Sequence, residues 1–167
     1  MKKYFTRILV AACMVLFISA CATKPPFDAS QVDKKITPEV AVSNFSEVNG
    51  ETVVWGGVIV SNLNTNQGTE FEILAYPLDK KLMPDSTQTP QGRFLAFYPQ
   101  YLESVDYAPG RLITVMGKVS QIVESKIGEA DYRYPKVQAE KQHLWKTKSN
   151  TDTRFHFGVG VIFTDYR

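Results

Sequence analysis

The chain has 167 residues, 19 Lys and Arg against 17 Asp and Glu, a formal charge of +2 and two cysteines. That is enough for one domain with a modest core and too few thiols for a disulfide-stapled scaffold, a thiol redox enzyme or a Cys-ligated metal protein. Without Lys2, Lys3 and Arg7, 16 basic side chains face 17 acidic ones, and a net charge near −1 leaves no basic field to draw nucleic acid or anionic lipid.

Those three cations open the chain. An uncharged apolar run from Ile8 to Ile18 follows, too short for a comfortable permanent span, and then comes Ile18-Ser19-Ala20-Cys21. Residues 1–20 read as a secretory signal peptide. The last four residues resemble the bacterial lipobox: a branched aliphatic residue, two small residues and a cysteine. The resemblance implies that the Cys21 thiol receives a diacylglycerol thioether, that the signal is removed and that the new amine is acylated. Two or more acyl chains hold a protein at a bilayer stably, at roughly 0.8 kcal/mol per buried methylene. Ala22, where an Asp would resemble an inner-membrane retention signal, implies transfer by the lipoprotein sorting machinery to the outer membrane of a two-membrane cell. Cys13 leaves with the signal and Cys21 is consumed by lipid, so the mature domain has no free thiol.

Residues 21–36 read as a lipidated flexible tether, because Ala22-Thr23-Lys24-Pro25-Pro26 has no apolar period and Pro-Pro favours an extended conformation. Thr37-Pro38-Glu39 predicts a short helix: a capping hydroxyl, Pro at the first position, and an acid at the positive end of the dipole. Val40, Ala41 and Phe45 form its buried stripe, and Asn49-Gly50 ends it.

The period then changes to two. Thr52 to Val60 predicts a strand, with Gly56-Gly57 as a bulge or bend, and the polar stretch Asn62 to Gly68 a loop. In the strand from Thr69 to Leu78, Phe71, Ile73 and Ala75 share one face, and Glu70 and Glu72 the other. Residues 79–91 form a loop, which an Asp79–Arg93 pair would fix. Gly92 to Tyr98 is a third strand. Leu102 and Val105 give the stretch Tyr101 to Tyr107 one turn's worth of packing, and Pro109-Gly110 is a tight turn. Arg111 to Val123 puts Ile113, Val115 and Val119 on one face, Thr114, Lys118 and Ser120 on the other, and Gly117 at a bend. Tyr132 to Trp145 is the fifth strand, and Pro135 requires a bulge or a free edge near its start. Five strands with glycine bends predict an all-β fold over residues 37–146, a small OB-like, partly open five-stranded β-barrel with one short N-terminal helix. The C-terminal tail, 147–167, alternates apolar residues and glycines in a strand-like way. It is free to add an extra strand to the barrel, contact lipid or bind a partner, and packing on its own domain is favoured.

The order of these blocks resembles the Slp family of outer-membrane lipoproteins. The resemblance rests on the lipobox, Trp55-Gly56-Gly57-Val58-Ile59, the run Thr69 to Asp79, Pro84, Gly92-Arg93-Phe94-Leu95-Ala96, Val115-Met116-Gly117-Lys118-Val119 and His143-Leu144-Trp145. It implies an outer-membrane lipoprotein and brings no catalytic or ligand-binding residues.

The remaining residues offer little chemistry. His143 and His156 supply one imidazole each, with no thiol nearby, so no metal and no cofactor is expected; His143 reads as a strand-face neighbour of Trp145. The pairs Glu70/Glu72 and Glu129/Asp131 read as solvated strand faces. No nucleophile elbow and no phosphate-cradling loop is present, and no enzyme activity is expected. Among the aromatics, Tyr98, Tyr132 and Tyr134 are the candidates to stack a ligand on the barrel face. The sequence thus predicts a non-enzymatic envelope lipoprotein, anchored to outer-membrane lipid through Cys21 and facing the periplasm. It would act as a structural or interaction module with an envelope protein partner and without nucleic acid. The alternative is a module that binds a glycan or an oligonucleotide-like ligand on those tyrosines.

Overall fold

The computed structural model describes residues 24–146. Residues 1–20, expected to be a signal peptide, Cys21, His156 and the tail 147–167, read as a possible extra strand, lie outside the described residues. Two short helices, α1 (Pro38–Ser43) and α2 (Phe45–Val48), stand where one is expected. Thr37 caps α1 by accepting the Val40 N–H at 3.3 Å, and Pro38 occupies the first turn, where an amide hydrogen is not needed. Asn44 divides the two helices.

The strands are β1 (Thr52–Thr65), β2 (Gly68–Ala75), β3 (Arg93–Tyr98), β4 (Leu112–Ile127) and β5 (Ala130–Leu144). They close into a ring in the order β1-β2-β3-β5-β4, with β4 returning to β1. This is the order of the expected OB-like barrel. All pairings are antiparallel except β3 with β5, where only Leu95–Phe97 and Lys136–Gln138 meet, in parallel. That short seam is the partly open side.

β1 serves two partners. Its first half pairs with β4 and its second with β2, and Gly57 and Val58 pair on both sides. A side chain on Gly57 would run into the Leu74 carbonyl. The glycine is therefore required by a close approach, while the expected bulge falls later, at Val60. Gly117 does lie at a register shift, where Glu140 is the extra residue opposite. A second shift in the same pair, at Ser120, sits beside Pro135 and relieves the proline's missing donor.

Period-two alternation fills the interior. Phe71, Ile73, Phe94, Ala96, Ile113, Val115, Val119 and Val137 are buried in one cluster, each of the larger ones contributing roughly 1.5–3 kcal/mol of apolar burial. Ala41 and Val48 bring the helices onto that core. The Trp55 ring meets Phe94 edge-on at 5.2 Å, and its indole N–H donates to the Ile36 carbonyl. Leu102 and Tyr107 pack against the core from the segment after β3, whereas Val105, expected to pack with them, is 85% exposed.

Three further expectations are corrected. The polar stretch from Asn62 is strand as far as Thr65, because the Asn62 and Asn64 amides leave the sheet to hold the segment after β3, donating to Tyr107 O at 2.7 Å and Leu102 O at 3.1 Å. Thr114, expected on the outer face, is fully buried. The loop 76–91 covers it, and its hydroxyl donates to the Leu82 carbonyl at 2.7 Å while accepting from the Trp145 indole. The segment expected to be a free spacer is pinned at Phe27, which is 8% exposed and shares a cleft with Leu82, while most residues from Asp28 to Lys35 stay exposed.

The crowding at Gly57 gives a direct test. Gly57→Val should cost about 3 kcal/mol, the upper end for overpacking, and lower the urea midpoint accordingly. Val58→Ala, a truncation at the neighbouring half-exposed position, should cost less.

Candidate functional site

The outer face across β2, β3 and β5 carries the densest set of polar side chains. Alternation on β2 turns Glu70 and Glu72 outward, opposite Phe97 and Leu95 of β3. The Arg93 guanidinium meets the Glu72 carboxylate at 2.7 Å, and the Tyr134 hydroxyl donates to the same oxygen at 3.0 Å. Lys136 meets Glu70 at 2.6 Å, and its ammonium lies 5.4 Å from the centre of the Phe97 ring. The two carboxylates, expected to be solvated, are thus each paired with a cation.

The candidate tyrosines fall in different surroundings. Tyr132 and Tyr134 meet edge-to-face at 4.6 Å. The Tyr132 hydroxyl accepts the Arg93 backbone N–H at 2.8 Å, and Tyr134 is 4% exposed. Tyr98 lies at the other end of β3, roughly 16 Å away along the strand, where it packs against the core. The structure brings two of the three together, with their hydroxyls committed to the barrel's own groups. It does not gather three free rings into one platform.

Burial and the bond to Glu72 push the Tyr134 phenol up to about 12. Arg93 is raised by the same carboxylate, and burial raises Tyr107, whose hydroxyl accepts from Gln142 at 2.7 Å. Asp79 does not pair with Arg93. It accepts the amides of Lys81 and Met83 at 2.7 and 2.8 Å and so fixes its own loop. Sequence alternation revealed the outward face of Glu70 and Glu72 but not their partners, because Arg93 and Lys136 reach them diagonally from other strands.

Elsewhere, a cavity of about 190 Å³ lies between Ile36, Trp55, Tyr76 and Leu82. A more open cleft of about 490 Å³ lies between Asp85, Thr87, Arg111 and Trp145. There the Arg111 guanidinium is tied to the carbonyls of Asp106 and Trp145. His143 stands edge-on to Trp145 at 4.5 Å, the neighbour expected for it. Among the described residues no three His, Cys, Asp or Glu side chains converge as metal ligands, and no helix is long and apolar enough to cross a membrane.

A small OB-like ring behind an apolar leader and a lipobox is the make-up of a lipoprotein of the cell envelope. The chain belongs to the outer membrane lipoprotein Slp family, whose model matches residues 18–166, beginning at the lipobox isoleucine. It is 28% identical over 147 residues to the uncharacterised lipoprotein YeaY of Escherichia coli, covering 86% of this chain and 75% of that one. To an uncharacterised protein of Haemophilus influenzae it is 32% identical over 160 residues, covering 91% and 82%. To the outer membrane protein Slp of Escherichia coli it is 24% identical over 119 residues, covering 70% and 63%. No solved structure matches the chain.

The Tyr134 phenol supplies a pH test. Its native value lies above that of the unfolded chain, about 10, so the unfolded state holds fewer protons between pH 10 and about 12. Stability is fully present below pH 10 and falls across that window, by roughly 2–3 kcal/mol at most from this group. Tyr134→Phe should lose about 1 kcal/mol at neutral pH with the bond to Glu72. It should also show a shallower alkaline fall than the parent when urea midpoints are compared.

Proposed function

We propose that the chain is acylated at Cys21, carried by the lipoprotein sorting machinery to the outer membrane and held on its inner leaflet with the barrel facing the periplasm. The observation that carries this reading is Ile18-Ser19-Ala20-Cys21, directly after an uncharged apolar run and followed by Ala22. The family match beginning at residue 18 supports it, and so does a mature chain with no other cysteine. Two or more acyl chains are sufficient anchorage without a membrane-spanning helix.

The barrel then serves as a structural or interaction module rather than an enzyme. Its most polar face is occupied by its own ion pairs. Beside that face Leu63, opposite Glu70 on β1, stands 61% exposed. An apolar side chain next to a paired polar rim suits contact with another envelope protein.

In cells fed labelled palmitate, the full chain should incorporate label and fractionate with outer membranes, and Cys21→Ala should lose both. Persistent labelling of the variant would overturn the anchor. A photocrosslinker at Leu63 in intact cells should yield a discrete protein adduct; none would sink the interaction reading.

A further inference from the structure

The net charge near −1, from which no basic field for anionic lipid was expected, conceals an uneven distribution. Lys24, Lys34 and Lys80 line one cleft of about 410 Å³, together with Phe27, Asp28 and Leu82. Lys35 and Lys81 adjoin two of them and are exposed. Lys141 of β5 lies close enough to Asp28 to act on its carboxyl alongside Lys24. Asp28 accepts the Ser30 amide, Asp33 the Lys35 amide, and Asp79 the amides of Lys81 and Met83, and all three keep their charge, so the six lysines outnumber the acids of these segments two to one. The two ion pairs found among the described residues both lie on the β2–β3–β5 face, so no lysine of this group is tied to a carboxylate there.

This surface is close to the anchor by chain length alone. The buried Phe27 is six positions after Cys21, and Lys24 three. At about 3.5 Å per residue, Phe27 stays within roughly 20 Å of the acylated residue and Lys24 within roughly 10 Å. The second distance is comparable to the Debye length of about 8 Å at physiological ionic strength, so the tether holds the Lys24 ammonium within electrostatic reach of the bilayer surface, and the attraction weakens as salt rises.

We propose that the surface formed by Lys24, Lys34, Lys80 and their neighbours is a membrane-docking face that seats the barrel on anionic phospholipid headgroups of the bilayer holding Cys21. The inference rests on the acylation proposed above. Chain length brings this face to the bilayer, and its charge is complementary to anionic headgroups. Docked this way, the barrel has a fixed orientation, with the β1–β2 turn pointing away. Lys141 is opposite Met116, which pairs with Val54, and from there β1 runs to Thr65, roughly 35 Å along the strand.

The test uses the full acylated lipoprotein in vesicles. With no other thiol in the mature chain, Ser30→Cys in the basic cleft and Gln67→Cys in the β1–β2 turn each provide a single labelling site. The fluorophore is read against a headgroup-borne quencher in phosphatidylcholine vesicles, with and without an equal part of phosphatidylglycerol. Residue 30 should be quenched more than residue 67, and the difference should grow with phosphatidylglycerol and shrink in high salt. Lys34→Gln, Lys80→Gln and Lys81→Gln, all exposed, should each lower the docked-to-undocked ratio about fivefold. Equal quenching at the two sites, or no response to phosphatidylglycerol or to the three substitutions, would overturn the docking face in a chain that carries palmitate. A chain without palmitate overturns the anchor and the docking face together.

Discussion

At Gly57 and Val58, β1 is hydrogen-bonded to two different strands at once, β4 on one side and β2 on the other. A five-stranded ring needs one strand to bend far enough to belong to both halves of the sheet, and at Gly57 the backbones approach so closely that a side chain would meet the Leu74 carbonyl. The rest of the domain follows from this junction. It fixes the inward set of Phe71, Ile73, Ile113 and Val115, and it leaves a short parallel seam between β3 and β5 to complete the ring.

Outside that ring, the two sides of the barrel differ. One side is bare sheet, and its polar groups satisfy one another across three strands: Glu72 with Arg93 and Tyr134, Glu70 with Lys136. The other side is covered by the loop 76–91 and the N-terminal segment, which is why a hydroxyl as far outward as Thr114 is fully buried yet satisfied. Lysines fringe the covered side, and the paired acids of β2 lie on the bare one. A total charge near zero therefore hides a local excess of lysine on the covered side, since the acids of the bare side are matched by Arg93 and Lys136.

What the sequence revealed and what it hid have physical reasons. Strand alternation and glycine bends were legible, since an inward Phe71-x-Ile73-x-Ala75 can be read without a partner. Asn62 and Asn64 were misread as loop because polar side chains in a strand are informative only when their acceptors, on a segment forty residues later, are known. Phe27 was hidden by the prolines before it: an isolated aromatic in a polar stretch has no period to betray its burial. For the candidate tyrosines, sequence spacing placed Tyr132 and Tyr134 on one strand but could not show that Glu72 and Arg93 occupy their hydroxyls. The lipobox was the most legible feature, because a contiguous motif needs no tertiary structure to be recognised.

The contact of Trp145 with Thr114, and of Thr114 with Leu82, ties the end of β5 to the loop that also covers Phe27. The described chain thus enters and leaves the barrel on the same side, as a staple's two legs enter one sheet of paper. Trp145, near the last described residue, lies on the side of the barrel that the N-terminal leg covers rather than across the molecule from it. A label at Lys146 would sample the covered side of the barrel, whereas one at Asn66-Gln67 would sample the far end of β1.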